Sequence, residues 1–278
     1  MKLFIIVLLV IQFKTLASNK VIYGKDDRHE VNPVEFPIIS EWARSAATMI
    51  PNHQLINQEN SALYKISGIT LRKRYNVCKD ERFVEQISPS YCSGFLFKKK
   101  WILTAGHCAN PDYFSSYAWI FDFTKHNLWN DASTTSPDNI YYSKKIIKRV
   151  YGDIDYAIVE LDREVKDRTP LPIRRLGKVR DDAELVAIGS PSGVPTKLTF
   201  GKIRKNQSSN IFVTNLDTFG GNSGSPVINV STGEVEGILV RGEEDYSYDP
   251  RSNCNRPKRC EENNCRGEDI VRTTVIEY

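Results

Sequence analysis

The sequence lacks the marks of several functional classes. Its formal net charge is only +4, from 38 basic and 34 acidic residues in 278, which argues against nucleic acid as a main partner. After residue 18 no stretch is apolar enough to cross a bilayer. Cys-x-x-Cys is absent, and Cys254, Cys260 and Cys265 have no histidine near them, so their spacing is a poor zinc pattern. Internal repeats and long low-complexity tracts are missing, and helical periodicity is weak.

What is there begins with one long apolar run, Leu3 to Phe13, behind the positive Lys2 and ahead of the small residues Ala17 and Ser18. Residues 1–18 therefore read as a secretory signal, too short to serve as a membrane span. Its removal lowers the net charge to +2. The product is expected outside the cytoplasm, extracellular or periplasmic, with no membrane attachment. Export makes disulfides plausible for the six cysteines.

Past the signal, short alternating apolar segments are bounded by Gly, Pro, Asn or Asp. Ile146–Tyr151, Tyr156–Leu161, Leu185–Gly189, Asn210–Leu216 and Val235–Val240 are predicted strands. Within Pro33–Met49, residues 41–47 read as one or two helical turns. Residues 129–140 read as a loop, and Lys98–Lys100 as a solvated turn. The pattern suits an all-β protein of barrels or sandwiches.

Three segments carry chemistry. Gly220-Gly221-Asn222-Ser223-Gly224-Ser225-Pro226 places a serine between glycines, whose backbone freedom permits a sharp turn and converging N–H groups. Trp101-Ile102-Leu103-Thr104-Ala105-Gly106-His107-Cys108 runs an apolar strand into a small-residue turn bearing a histidine. Asp153-Ile154-Asp155-Tyr156-Ala157-Ile158-Val159 sets an aspartate before an apolar run. A serine hydroxyl needs a base, and an imidazole needs a carboxylate to fix its tautomer. Asp153 and Ser225 are the competitors of Asp155 and Ser223. His53 and His126 read as surface residues.

The order His107, Asp155, Ser223, in these contexts, resembles the chymotrypsin-like serine peptidases. Val21-Ile22-Tyr23-Gly24 and Ala187-Ile188-Gly189-Ser190-Pro191 favour the bacterial glutamyl-endopeptidase branch. The likeness runs from about Val21 to Gly242. It implies two six-stranded antiparallel β-barrels with the active site in the cleft between them. The peptidase domain would be 19–278, the first barrel about 21–162 and the second about 172–278, joined near Asp162–Pro172.

The resemblance also implies site residues. His107, Asp155 and Ser223 would be catalytic, the Gly221 and Ser223 N–H groups would form the oxyanion hole, and Cys92–Cys108 would be a disulfide. Cys78, Cys254, Cys260 and Cys265 keep three possible pairings. Where the glutamate-selective branch has a histidine, this chain has Leu239. Thr218 is compatible with that branch. Asp217 stands where trypsin-type members place the acid that attracts Lys or Arg, and Arg241 on a neighbouring strand could neutralise it. Asn222 replaces the aspartate that, in many animal relatives, pairs with a new N-terminus after zymogen cleavage. Val21 is a candidate mature N-terminus whose ammonium could order the pocket.

The expected activity is that of a secreted, monomeric serine endopeptidase acting on proteins or peptides, with a Lys/Arg preference and no cofactor or metal. The alternative is a catalytically inactive homologue kept as an extracellular binding module. Glu243, Glu244, Asp245 and Asp249 could ligate calcium or form a solvated acidic loop. Asn206-Gln207-Ser208 and Asn229-Val230-Ser231 fit the glycosylation pattern.

Overall fold

A computed structural model describes residues 21–59, 61–125 and 132–278. The signal run, Asn19-Lys20, His126 and positions 129–131 of the expected loop lie outside the described residues. The apolar segments become strands because each places alternate or successive residues against a closed core. Tyr156–Leu161, for instance, is buried at every position but Glu160.

Twelve strands build two rings. The first holds β1 (Ala46–Pro51), β2 (Cys92–Lys98), β3 (Trp101–Thr104), β4 (Tyr117–Phe121), β5 (Ile140–Val150) and β6 (Tyr156–Leu161), closed in the order β1-β2-β3-β6-β5-β4. The second holds β7 (Glu184–Gly189), β8 (Lys197–Lys205), β9 (Ile211–Thr214), β10 (Pro226–Asn229), β11 (Val235–Arg241) and β12 (Glu268–Arg272), in the order β7-β8-β9-β12-β11-β10. Pairing of β7 with both β8 and β10 closes it. Every pairing within the rings is antiparallel. This is the two-barrel architecture expected. The ring order is the same in both, a repeat of topology without a repeat of sequence. Trp119, Phe95 and Phe121 fill the first barrel region, and Phe212, Leu216, Leu239 and Ile270 form a cluster in the second. Fully burying side chains of this size contributes about 1.5–3 kcal/mol each.

Two expectations are corrected. Residues 41–47 do not form one helical segment: the helix is Pro37–Ala43, and Ala46 and Ala47 open β1, pairing with β2 and β4. All six residues of β1 are buried, so its sequence shows no period-2 alternation to announce a strand. The second correction concerns the first barrel, which does not begin at residue 21. Ile22–Tyr23 pairs in parallel with Arg259–Cys260, and His29–Glu30 adds to β8. The 21–30 segment is thus a strap across the second barrel. Residues 277–278 lie on the first barrel instead: Glu277 N–H donates to the Tyr156 hydroxyl and the Tyr278 ring meets Phe97.

The disulfides are Cys92–Cys108, Cys78–Cys254 and Cys260–Cys265. Cys78–Cys254 spans 176 residues and ties the helix Leu71–Tyr75 region to the hairpin Tyr246–Asp249/Cys254–Pro257, whereas Cys260–Cys265 spans 5. Loop-closure entropy rises with the logarithm of span, which makes the long bridge worth about 5 kcal/mol and the short one about 2. Replacing Cys78 and Cys254 by Ser is therefore expected to lower unfolding free energy by about 2–3 kcal/mol more than the same change at Cys260 and Cys265. Denaturant melts of the two double variants, compared at equal m-value, check the order.

Candidate functional site

Thr104 ends β3, and the chain turns at Ala105-Gly106 to deliver His107 beside the head of β6. The turn is tight. A Cβ at Gly106 would overlap the Val150 carbonyl oxygen and come within 2.8 Å of Asp155 Oδ1, so only glycine fits. One carboxylate then grips the histidine twice. Asp155 Oδ1 accepts the His107 main-chain N–H at 2.9 Å, and Oδ2 lies 2.7 Å from His107 Nδ1. Asp155 is buried, while the His107 side chain keeps 28% exposure. A carboxylate acceptor at Nδ1 holds the proton there and leaves Nε2 with its lone pair. Asp153 is exposed, and its carbonyl accepts from Arg241.

Ser223 lies in the turn between β9 and β10. Asn222 N–H donates to the Phe219 carbonyl at 3.0 Å, closing a turn in which Gly221 takes φ +94°. That conformation at the third turn position is the glycine-requiring one; a Cβ there would also crowd the Ser190 carbonyl oxygen. The turn is fastened to the first barrel by Ser93 of β2. Ser93 N–H donates to the Ser223 carbonyl, and Ser93 Oγ to the Gly221 carbonyl, both at 2.8 Å. Ser93 Oγ also accepts Ser190 N–H at 3.0 Å, and Thr104 Oγ1 donates to the Ser93 carbonyl at 2.6 Å. Cys92, beside Ser93, is bonded to Cys108, beside His107, and Cys108 Sγ lies 3.7 Å from the Ser223 carbonyl oxygen. The histidine turn and the serine turn thus meet on two adjacent residues of one strand. Ser225, the other serine, is fully buried and donates to Asn222 Oδ1.

The expected specificity residues do not form an open pocket wall. Asp217 faces the strap: Oδ1 accepts Tyr23 N–H at 2.6 Å and Oδ2 accepts Asp27 N–H at 3.0 Å. Burial, and the Asp27 carboxyl beside it, push Asp217 up to about 8; burial raises Asp27 as well. Arg241 does not neutralise Asp217. Its Nε donates to Asp269 at 3.0 Å, and its other nitrogens reach the Gly152 and Asp153 carbonyls across the seam. Leu239 is buried against Phe212, Leu216 and Ile270, inside the barrel. Thr218 is buried and donates to Glu268 at 2.5 Å. The physical reason is common to all four: partners distant in sequence took these side chains first. The strap is ordered through the Tyr23 and Asp27 peptide groups, while Val21 packs with Tyr23 and Cys260.

The acidic run is likewise engaged. Glu243 meets Lys258 Nζ at 3.0 Å, Asp249 meets Arg256 at 3.0 Å, and Asp245 Oδ2 accepts Gly220 N–H at 2.9 Å. Among the described residues the one cluster with metal-ligand composition is Cys92, His107 and Cys108, whose sulfurs are joined in the disulfide. Asn229 is buried on Glu236, and the Asn206 amide donates to the Val179 carbonyl, so neither side-chain amide stands free for a glycan. Sequence reasoning missed Ser93, Asp27 and the role of Asp245. The one local signal for Ser93 was its place beside Cys92.

Residues 92–238 match the family described as a trypsin-like peptidase domain, more than half of the chain. No curated protein sequence matches. Among solved structures, a Glu endopeptidase in complex with MPD is similar at 16% identity, over 92% of this chain and 94% of that one, with TM-score 0.52. The VesB protease of Vibrio cholerae is similar at 14% identity, over 92% of this chain and 65% of that one, with TM-score 0.51. At these identities the likeness is one of fold.

The acid pair sets a pH dependence. An unfolded aspartate titrates near 3.9; Asp217 in the folded chain keeps its proton to about 8. Between those values the folded state holds a proton that the unfolded state has released. The contribution of Asp217 to stability therefore falls as pH rises across the window, by at most about 1.4 kcal/mol per pH unit. Asp27→Asn removes the neighbouring charge, lowers the Asp217 titration, and is expected to flatten the fall. Urea unfolding of both proteins at pH 5 and pH 8 checks the slope.

Proposed function

The chain belongs to the trypsin-like peptidase domain family, and from that premise we propose that it is a secreted serine endopeptidase. Ser223 Oγ attacks the scissile carbonyl as His107 Nε2 takes its proton. Asp155 holds the ring and stabilises the imidazolium. The Gly221 and Ser223 N–H groups receive the oxyanion. His107 then returns the proton to the leaving amine, and water resolves the acyl-enzyme. No cofactor enters this scheme, and every residue it uses lies in one chain.

The observation that carries the reading is the double hold of Asp155 on His107, at main chain and ring. Fixed tautomer and fixed ring position are what general-base catalysis by imidazole needs. Three disulfides agree with an oxidising compartment, and no helix among the described residues is long and apolar enough to cross a membrane. The Lys/Arg preference expected from Asp217 does not carry over, because its carboxylate is occupied by Tyr23 and Asp27.

A fluorophosphonate probe on the secreted chain, read by intact mass, is expected to add one label per molecule. Ser223→Ala should abolish the label, and Asp155→Asn should lower kcat by about 10⁴. Folded protein that takes no label and cleaves no peptide library would instead be the non-catalytic binding homologue.

A further inference from the structure

The two glycines before Asn222 leave the loop that carries the oxyanion donor free to turn. The structure shows what restrains it. The Phe219–Gly220 peptide is held at both ends: its carbonyl accepts Asn222 N–H, and its N–H donates to Asp245 Oδ2. The Gly221–Asn222 peptide is held too, with its carbonyl on Ser93 Oγ and its N–H on Phe219. The Gly220–Gly221 peptide, which carries the Gly221 N–H, lies between these two fixed planes. Its direction is set by its neighbours.

Asp245 is supplied by a segment outside both rings. It directly precedes the hairpin Tyr246–Asp249/Cys254–Pro257, which Cys254 ties to Cys78. Lys258 N–H donates to the Asp245 carbonyl at 3.0 Å. The Tyr246 hydroxyl meets Ser192 Oγ at 2.6 Å, and its ring packs on Phe219. The Arg28 guanidinium of the strap also lies over Phe219, 4.4 Å from the ring centroid.

We propose that Asp245 is a positioning residue for the oxyanion hole, aiming the Gly221 N–H by accepting the Gly220 N–H. This rests on the assignment of Ser223 as nucleophile. The carboxylate acts as an acceptor and not through its charge. A negative charge beside the hole would oppose a developing oxyanion, so an amide oxygen at the same place should serve.

Removing one oxyanion donor outright costs about 10²–10³ in kcat, and releasing its aim should cost less. Asp245→Ala is expected to lower kcat about 30-fold with KM changed less than about threefold. Asp245→Asn should recover kcat to within about fivefold of the parent. Tyr246→Phe loosens the same hairpin without touching Gly220 and should leave kcat within about twofold. Equal losses in Ala and Asn, or an equal loss in Tyr246→Phe, would overturn the proposal. So would an Ala variant that turns over like the parent.

Amide exchange by NMR tests the restraint without catalysis. Gly220 N–H should be at least about tenfold more protected than Gly221 N–H in the parent and lose that protection in Asp245→Ala; an unprotected Gly220 in the parent overturns the proposal even if the variant fails to fold. A parent with no turnover but a protected Gly220 would sink the nucleophile assignment and, with it, the catalytic role of Asp245.

Discussion

Ser93 joins the two halves of this molecule at the point where its chemistry would occur. Its N–H, its hydroxyl and its carbonyl all bond to the serine turn, the Ser190 peptide or the strand that leads to His107. Its neighbour Cys92 is covalently tied to the neighbour of His107. The relative placement of the His107 turn and the Ser223 turn is therefore fixed by two consecutive residues of β2 and does not depend on the summed slack of two barrels. Misplacement by about 1 Å can cost about 10²-fold in rate, so a local rivet matters more than the bulk of either core. Small side chains are needed there, because Gly224 already lies against the Ser93 carbonyl and Thr104.

The 21–30 strap and the last residues of the sequence lie on the two barrels from outside, the strap on the second and the last residues on the first. The strap brings a cost. Asp27 and Asp217 are two carboxyls in one largely buried place, and burial disfavours charge on both. Two main-chain N–H groups and the Thr199 hydroxyl offset part of this. Arg28, buried on Asp26 and within reach of the Phe83 and Phe219 rings, adds a cation to the neighbourhood. The strap thus touches the segment just ahead of the serine turn through both polar and aromatic contacts.

Much of this was legible in the sequence, for a physical reason that also marks its limit. The strands of β6, β7 and β11 show in short apolar segments bounded by turn residues, and a turn that needs glycine shows as glycine. Hence the contexts of His107, Asp155 and Ser223 could be read locally. The 21–30 strap, β1 and the specificity residues could not. β1 is buried throughout and shows no alternation. Asp217 finds its partner 194 residues away, and Thr218 finds Glu268 50 residues away. Leu239 sits on a strand where one step of register decides between core and cleft. Which side of a sheet a residue faces, and which distant group reaches it first, are properties of closure and not of any window of sequence.

The same distinction explains why Asn222 need not be an aspartate. In relatives that order this turn with a new N-terminus, the order depends on an ion pair, and the residue before the serine must carry charge. Here, among the described residues, the Asn222 side chain receives only the Ser225 hydroxyl, at 3.5 Å, too long to fix a loop. The turn is held instead by its own Asn222 N–H on Phe219, by Ser93 and by Asp245. None of these bonds requires a free amine at Val21, which is fully buried beside Tyr23 and Cys260. A turn ordered by uncharged donors is ordered as soon as the hairpin and β2 are in place. The order of the turn then follows from bonds made within the folded chain, and the role proposed for Ser223 asks for no charge at residue 222.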